Sequence, residues 1–193
     1  MALLRGRTSW DKEAEVVVIG YGSAGAAAAI TAVENGAEAL LIEKQPKETH
    51  HTNTSMSGGA VFTPPDAKSA LEYMAALCGV TGKEGTSWTD RAALSAWAEY
   101  AATGKQWIEE RGGEIFLNTG GVEFPELSRG AFLPHYRFKG MGIGLARFLD
   151  GQVRTKGIEV LYDTRAGCLI TNRRGRVVGV EVGAGQNGKR RKL

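Results

Sequence analysis

The feature that most constrains this chain is a run of four β-branched residues that leads directly into a glycine-rich turn. Residues 16–19 read V-V-V-I, and the turn at 20–25 reads G-Y-G-S-A-G. A short run of this kind is typical of a buried parallel strand, and G-x-G-x-x-G is typical of the turn from such a strand into a helix. We expect Gly20 to form the tight turn, Gly22 to let the backbone approach a pyrophosphate, and Gly25 to let the helix pack on the strand.

The residues after the turn complete a βαβ unit. A strand at 15–20 is followed by an alanine-rich helix to Asn35, a capping Gly36 and a second apolar strand at 38–43. The helix directs its free N–H groups toward a phosphate. Glu43 ends the second strand, 23 positions after Gly20, where an acidic residue accepts hydrogen bonds from a ribose. The pattern predicts an α/β fold that binds a dinucleotide; the alternative is a glycine turn that binds nothing.

Composition narrows the classes of protein further. The 193 residues are 42% hydrophobic, enough for one sizeable core, and the net charge of +3 is too small to indicate a nucleic-acid or membrane partner. The sequence contains neither an apolar run long enough to span a membrane nor a signal peptide pattern. Cys78 and Cys168 are isolated, which predicts neither a disulfide nor a metal site and favours a reducing, cytoplasmic location. The basic residues 189–192 are expected to form a solvated strand edge or tail.

The middle of the chain is predicted to be mostly helical. Residues 45–65 show no periodicity and are interpreted as a long loop around a polar ligand. Apolar residues at helical spacing predict helices at 66–80, ending at Gly79, and from 89 to Arg111. Trp97 and Trp107 in the second helix are expected in the core; a stacking platform is the alternative.

The rest alternates between short strands and a helix. Within the glycine- and proline-containing stretch 115–139, His135, Tyr136 and Arg137 are weak catalytic candidates that could face a substrate; an exposed loop is the alternative. A helix at 145–156, a strand at 158–162 and a β-meander hairpin at 164–182 follow.

These motifs together resemble the FAD-binding half of the fumarate reductase/succinate dehydrogenase flavoprotein family, whose soluble branch includes 3-ketosteroid dehydrogenases and urocanate-type reductases. The resemblance rests on the glycine turn, on Glu43-Lys44, on N-T-S-M-S-G-G at 53–59 and on the pattern from the helix at 145 through the hairpin. It implies a Rossmann-like FAD-binding domain, a βαβ unit plus a β-meander, with FAD held mainly by main-chain contacts. In the family the residue at Ala166 holds the adenine ring through its backbone.

The resemblance implies a set of cofactor-binding residues. They are Gly20, Gly22, Ser23, Ala24, Gly25, Glu43, Lys44, Asn53, Thr54, Ser57, Gly58, Gly59 and Ala166. The membrane-bound relatives attach FAD to a histidine, but His51-Thr52 lies one residue farther from the glycine pair than in that pattern. Non-covalent FAD is therefore expected, with His50 and His51 as polar loop residues.

The resemblance also implies that the chain covers only part of the family's length. After a lead-in at 1–14, residues 15–193 correspond to the N-terminal portion of the FAD domain, without the substrate-capping domain or the family's catalytic residues. We therefore expect a fragment, or one subunit that needs a complementary chain, with an open apolar edge at Val177, Val178 and Val180.

Three hypotheses about function remain at this point. The first is an FAD-dependent oxidoreductase that moves hydride to or from a carbon beside a carbonyl or carboxylate of a small-molecule substrate. The second is a non-catalytic FAD-binding subunit or fragment that works through a partner chain. The third is an NAD-dependent dehydrogenase, which the segment 53–59 disfavours.

Overall fold

The computed structural model describes residues 10–81, 90–118, 135–184 and 190–193, which form two compact units. The first unit combines residues up to Met56 with those from Ala146 onward, and the second runs from Ser57 to Leu145. None of the helices in these ranges has both the length and the apolar character that crossing a membrane requires.

The strands and helices are numbered in chain order. The strands are β1 (Val16–Ile19), β2 (Ala39–Ile42), β3 (Ala60–Phe62), β4 (Ile115–Leu117), β5 (His135–Phe138), β6 (Glu159–Leu161), β7 (Thr164–Thr171), β8 (Val177–Ala184) and β9 (Arg190–Lys192). The helices are α1 (Ser23–Glu34), α2 (Asn53–Met56), α3 (Ala67–Thr81), α4 (Arg91–Ala102), α5 (Gly104–Glu109) and α6 (Met141–Thr155), and a 3₁₀ turn covers Lys47–Thr49.

A three-stranded parallel sheet organises the first unit. Its order is β1-β2-β6, so β2 lies in the centre and every one of its four residues is buried. The predicted βαβ unit is confirmed, and α1 packs on β1 and β2 through Ala26, Ala29 and Ile30. The expectation that β1 is fully buried was wrong, because β1 is an edge strand among the described residues and Ile19 is half exposed.

A second sheet, of order β7-β8-β9, is antiparallel and contains the predicted hairpin. Its Val180 and Val182 pack with Leu40 and Ile42 of the parallel sheet and with Leu193. Of the basic residues, 190–192 form β9 at the edge of this sheet, and Lys189 lies outside the described residues. Val177 and Val178 are exposed as expected, but Val180 is buried because Leu193 covers it and exchanges backbone hydrogen bonds with it.

The second unit contains an antiparallel sheet of order β3-β5-β4 and the helices α3 to α5. Residues 135–138 are its central strand, so the alternative of an exposed loop was wrong. The long loop expected at 45–65 is also interrupted, by the 3₁₀ turn, α2 and β3. These elements have three or four residues each, too few to produce a detectable periodicity.

Three helix boundaries differ from the predictions. The expected single helix from 89 to 111 is divided at Thr103–Gly104, where a Cβ on Gly104 would lie 2.8 Å from Thr63 Cγ2. Gly79 does not end α3, which continues to Thr81, and α6 begins at Met141, before the expected residue 145. Trp97 is 37% exposed, so its assignment to the core was wrong.

Candidate functional site

The glycine turn between β1 and α1 has the local geometry that its sequence predicts. Gly20 has φ +97°, in the left-handed region that favours glycine. A Cβ on Gly25 would collide with the carbonyl oxygen of Gly20 and would lie 3.1 Å from the carbonyl carbon. Gly20 is therefore favoured by its backbone conformation, and Gly25 is required by the packing of the chain.

Gly22 is different, because none of the residues that the structure describes requires a glycine at that position. Its φ of −97° and ψ of −168° suit any residue, and a Cβ built on it would meet only Thr54 Oγ1, at 3.9 Å. Gly22 caps α1 and has no side chain to cap it, and the first helical N–H, that of Ser23, donates to Thr54 Oγ1. Bare backbone at Gly22, beside the next N–H groups of a helix N-terminus that have no intrahelical acceptor, matches what a bound pyrophosphate needs, so the turn fits such a ligand.

Glu43 is held by the same turn. Its side chain is buried, Oε2 accepts a hydrogen bond from the Tyr21 N–H at 2.9 Å, and Oε1 accepts one from the Gln45 N–H at 2.9 Å. These contacts tie the carboxyl end of β2 to the residue between Gly20 and Gly22. Each carboxylate oxygen keeps a further lone pair, so Glu43 still has acceptor capacity for a ligand hydroxyl.

The aromatic rings of Tyr21, His50 and Tyr162 form a cluster beside Glu43. His50 stacks on Tyr21 with the ring centroids 5.2 Å apart and meets the edge of Tyr162 at 5.6 Å. His50 Nε2 is buried without a hydrogen-bond partner and lies 3.8 Å from Glu43 Oε2. His50 lies in a loop as expected, and its ring is packed beside the turn.

The Tyr21 hydroxyl connects this cluster to α6. It donates a hydrogen bond of 2.9 Å to Asp150 Oδ1, and the other oxygen of Asp150 pairs with Arg154 one turn along the helix. Burial, together with the bond to Asp150, raises the pKa of Tyr21 far above that of a free tyrosine. Burial also raises the pKa of Tyr162. Both phenols are therefore neutral proton donors throughout the physiological range.

A cavity of about 450 Å³, the turn cavity, opens beside these residues and lies entirely within the first unit. Its wall includes Gly22 and Ser23 of the turn, Tyr21, His50 and the charged Arg154. The side chains of Tyr21, His50, Tyr162 and Asp150 were not identified from the sequence as parts of one site. The clue available there was a large aromatic residue, Tyr21, at the variable position between two motif glycines.

The other predicted residues of the first unit surround the turn in different ways. Thr54 Oγ1 accepts a hydrogen bond from the Ser23 N–H at 3.0 Å, which brings α2 to the start of α1. Ala24, Lys44 and Asn53 are exposed. Ala166 pairs with Val182, and the register shifts between Ala166 and Cys168, so a β-bulge locally interrupts the ladder there.

Ser57, Gly58 and Gly59 belong to the second unit. Ser57 and Gly58 are exposed, whereas Gly59 is buried with φ +68° and would place a Cβ 2.7 Å from Met141 Cα. The carbonyl oxygens of Ser57 and Gly59 accept hydrogen bonds from Gly142 and Phe138. This segment is thus anchored by its backbone directly before β3 begins.

The weak catalytic candidates lie on β5 in the same unit. Successive residues of a strand point to opposite faces, so Tyr136 and Arg137 cannot both face one ligand. Arg137 is directly opposite Ala60 and Phe116, whereas Tyr136 is opposite Val61 and Leu117. Arg137 Nε is buried and has no hydrogen-bond partner.

A parallel sheet, a glycine turn at the start of α1 and an acidic residue at the end of β2 define the class of dinucleotide-binding α/β proteins. Within that class, a family model described as an FAD binding domain matches residues 15–193. The chain belongs to this FAD binding domain family.

The relatives bear out the resemblance to the fumarate reductase flavoproteins. A Shewanella frigidimarina protein named fumarate reductase (cytochrome) is 27% identical over 164 residues, 78% of this chain and 28% of its own length. The acrylate reductase flavoprotein subunit of Shewanella woodyi is 28% identical over 184 residues, 91% of this chain and 35% of that protein. The chain therefore spans about a third or less of the length of these two relatives.

A solved structure shares the fold. The 3-ketosteroid-delta4-(5alpha)-dehydrogenase from Rhodococcus jostii RHA1, in complex with 4-androstene-3,17-dione, superposes with a TM-score of 0.72 at 25% identity. The superposition covers 96% of this chain and 44% of the dehydrogenase chain. The predicted fold class, an FAD-binding domain that corresponds to the N-terminal region of such enzymes, is confirmed.

Proposed function

We propose that this chain is the FAD-binding portion of an oxidoreductase that dehydrogenates or reduces a C–C bond beside a carbonyl or carboxylate. The observation that carries the proposal is Gly22, whose missing side chain is not explained by any contact within the described ranges and leaves bare backbone at the start of α1. Bound FAD would supply the hydride chemistry, and the protein would position it.

The residues of the first unit would hold the adenosine diphosphate half of FAD. The turn at Gly20, Gly22 and Gly25 would receive the pyrophosphate, with the backbone of Ser23 and Ala24 at the helix N-terminus. Glu43 would accept a hydrogen bond from a ribose hydroxyl, because it is fixed by two backbone donors and keeps free lone pairs. The bulge beside Ala166 would let its backbone meet the adenine ring. Lys44, which follows Glu43 in sequence, is proposed as a further contact of the adenosine half.

The segments at 53–54 and 57–59 would lie along the rest of the cofactor. Thr54 already bonds the first residue of α1, and Gly59 fixes its segment against the start of α6 by backbone packing. Ser57 and Gly58 are exposed there. These properties support a main-chain lining for the flavin, in which Asn53 and Ser57 contribute polar groups.

FAD is proposed to be bound without a covalent link. His50 is packed between two tyrosines beside Glu43, in the region assigned to the ribose, and a covalent flavin link would need a histidine at the flavin ring. His51 is exposed, and its backbone exchanges hydrogen bonds with the Gln45 side chain. Acid precipitation separates the cases, because non-covalent flavin is released into the supernatant.

The domain assignment and the partner follow from the same proposal. Residues 1–14 would be a lead-in and 15–193 the FAD-binding domain. The relatives' names refer to reductases of fumarate and acrylate and to a ketosteroid dehydrogenase, which supports the proposed bond type. Because the chain spans only part of those proteins, the substrate-capping region and most catalytic groups are proposed to come from a further segment or a complementary chain. A cytoplasmic location remains part of this proposal.

The proposal is tested by measuring whether the purified chain binds FAD and whether bound FAD raises its midpoint of unfolding. The purified chain is titrated with FAD, FMN and NAD, and bound flavin is followed by absorbance and fluorescence quenching. We expect FAD to bind and to raise the midpoint of unfolding, FMN to bind more weakly because it lacks the adenosine half, and NAD to fail to compete. Equal responses to NAD and FAD would favour the NAD-dependent dehydrogenase instead.

A further inference from the structure

The turn cavity carries more positive charge than the contacts of the described chain neutralise. The residues that line it include three cations, Lys47, Arg147 and Arg154, and a carboxylate residue, Asp150. Asp150 forms an ion pair with Arg154. Within the described ranges, neither Lys47 nor Arg147 has an ion pair or a side-chain hydrogen bond. Two positive charges beside this cavity therefore have no counter-charge among the residues that the structure describes.

The two unpaired cations come from separate segments of the first unit. Lys47 begins the 3₁₀ turn, and Arg147 lies in the second turn of α6. Arg147 and Asp150 are three residues apart, so they lie on the same face of that helix. The fold thus brings both cations to one cavity, together with the start of α1.

The rest of the wall strengthens the attraction for an anion. Its apolar part consists of Ala26, Leu149, Val153, Ile158 and Val160. A cleft that combines charges of one sign with apolar walls focuses the electric field, because a medium of low polarity screens it weakly. The carboxylate of Glu43 is not part of this wall, and both of its oxygens accept backbone N–H groups. The cavity is therefore suited to a negatively charged ligand that fits beside an apolar surface.

The start of α1 indicates which anion this is. Gly22 and Ser23, assigned above to the pyrophosphate of FAD, line the same cavity as the two unpaired cations. Backbone N–H groups there can bind phosphate oxygens, but they carry no net charge. The pyrophosphate of a dinucleotide has one negative charge on each of its phosphates, which equals the positive charge left unpaired on the wall. A single carboxylate would neutralise only half of that charge.

We propose that Arg147 and Lys47 bind the pyrophosphate of the dinucleotide and supply its counter-charge. This inference rests on the proposed function and adds to it two residues that lie outside the glycine motif. The Arg147 guanidinium can hold phosphate oxygens through two parallel hydrogen bonds, whereas Lys47 acts as a compact point charge. The chain thus selects its ligand by the diphosphate as well as by the adenosine.

The test is calorimetric titration of the purified chain with adenosine, ADP-ribose and FAD. ADP-ribose contains the adenosine and the pyrophosphate of FAD but not the flavin, and adenosine lacks the pyrophosphate. We expect ADP-ribose to bind at least about tenfold more tightly than adenosine. The difference should shrink when the salt concentration is raised, because dissolved ions screen the two cations. Equal affinities for adenosine and ADP-ribose, or no binding of ADP-ribose, would overturn the proposal.

Variants of the two cations measure their contribution. Arg147→Gln and Lys47→Gln should each weaken ADP-ribose by about threefold to fivefold, and the double variant by about tenfold or more, with adenosine affinity unchanged. Arg147→Lys keeps the charge and should retain most of the affinity. Arg173→Gln removes an exposed arginine at the turn of the β7–β8 hairpin, outside the cavity, and is the matched control.

A change of the opposite sign provides a second measurement. Asp150→Asn removes a negative charge from the cavity wall but keeps a side-chain oxygen that can accept the Tyr21 hydroxyl. It also releases Arg154 from its ion pair. ADP-ribose should therefore bind this variant about twofold more tightly, while adenosine binds the variant and the wild type equally. An unchanged or weaker affinity for ADP-ribose would contradict the charge argument.

The results distinguish this proposal from the proposed function. Unchanged ADP-ribose affinity in the double variant refutes the assignment of Arg147 and Lys47, and so does an equal loss for adenosine and ADP-ribose, because their role would then be structural. If ADP-ribose binds in a manner that depends on Arg147 but FAD does not bind, the site survives and the flavin function fails. If FAD binds the wild type and the double variant equally, the flavin function survives and the site fails. Circular dichroism of each variant establishes that it is folded.

Discussion

Alanine substitutions at two glycines of the same turn, Gly22 and Gly25, should have opposite consequences. We expect Gly22→Ala to spare the fold and weaken FAD, and Gly25→Ala to damage the fold whether or not FAD is present. Each change adds one methyl group to a glycine of the same motif, and the two glycines are three positions apart, so each variant is the control for the other.

The magnitudes follow from the space around each Cα. At Gly25 the added carbon would overlap the Gly20 carbonyl group and lie 3.4 Å from Val18 Cγ1, and a backbone group cannot rotate away. Overpacking of this severity costs about 3 kcal/mol or more. At Gly22 the nearest atom is 3.9 Å away, so the cost is at most about 1 kcal/mol, the difference between glycine and alanine as a helix cap.

The Gly22 substitutions are expected to lower FAD affinity although they spare the fold. If the pyrophosphate lies against the Gly22 backbone, a methyl group there must push it outward, and we expect FAD affinity to fall by more than about tenfold, or 1.4 kcal/mol. Gly22→Val should abolish binding. Urea unfolding without FAD measures the first effect, and fluorescence titration with FAD measures the second.

Two results would refute this reasoning. Stoichiometric FAD in Gly22→Val would mean that the cofactor does not approach this turn. A Gly22→Ala variant as unstable as Gly25→Ala would mean that Gly22 is required by the protein itself, which would remove the observation on which the proposed function stands.

Further predictions concern the contacts around the turn. Glu43→Ala leaves the N–H groups of Tyr21 and Gln45 without their acceptor, which should lower the free energy of unfolding by about 2 kcal/mol or more and also weaken FAD by about 1–3 kcal/mol; an unchanged urea midpoint would contradict it. Tyr21→Phe removes the bond to Asp150 and should cost about 1 kcal/mol near neutral pH. Because the pKa of folded Tyr21 is raised, its contribution is complete below the ordinary tyrosine pKa of about 10 and is lost as the pH rises above it, so the wild type should lose its advantage over Tyr21→Phe in alkaline unfolding curves. For Asp66, whose pKa is lowered by its hydrogen bonds to Ser69 at the start of α3, the stabilisation is present above the ordinary carboxyl pKa and lost on acidification; Asp66→Ala should therefore lower the melting temperature at neutral pH and have little effect at about pH 2, and an equal loss at both pH values would contradict this assignment.

The sequence predicted the elements whose signals are local. The βαβ unit was recognisable because the β-branched strand, the glycine spacing and Glu43 all lie within 30 residues of one another. The hairpin of β7 and β8 was recognisable from alternation and an intervening turn. The glycine motif combines two different constraints in one pattern, and only the structure distinguishes them. A Cβ on Gly25 would collide with the Gly20 carbonyl, whereas a Cβ on Gly22 would fit among the described residues.

The errors came from contacts between distant segments. At the break between α4 and α5, Thr63 lies so close to Gly104 that a Cβ there would come within 2.8 Å of it, and this contact between distant segments cannot be predicted from Gly104, since an isolated glycine is tolerated within a helix. The alternative of an exposed loop at 135–138 was reasonable because H-Y-R-F lacks the aliphatic run that marks the equally short β1 and β2. Once β5 is known, the alternation of side chains along a strand places Tyr136 and Arg137 on opposite faces of the sheet, so the three candidates cannot all contact one ligand.

Tyr21 shows how the variable position of a motif can organise its surroundings. Its N–H donates to Glu43, its ring stacks on His50 and its hydroxyl reaches Asp150, so one residue links the turn to β2, to the segment before α2 and to α6. The turn must stay rigid for its backbone to bind a phosphate, because donors that reorganise on binding lose affinity. A small residue between Gly20 and Gly22 would leave the backbone geometry in place but would lack two of these three links. The tyrosine therefore provides preorganisation that the glycines, selected for space and flexibility, cannot provide themselves.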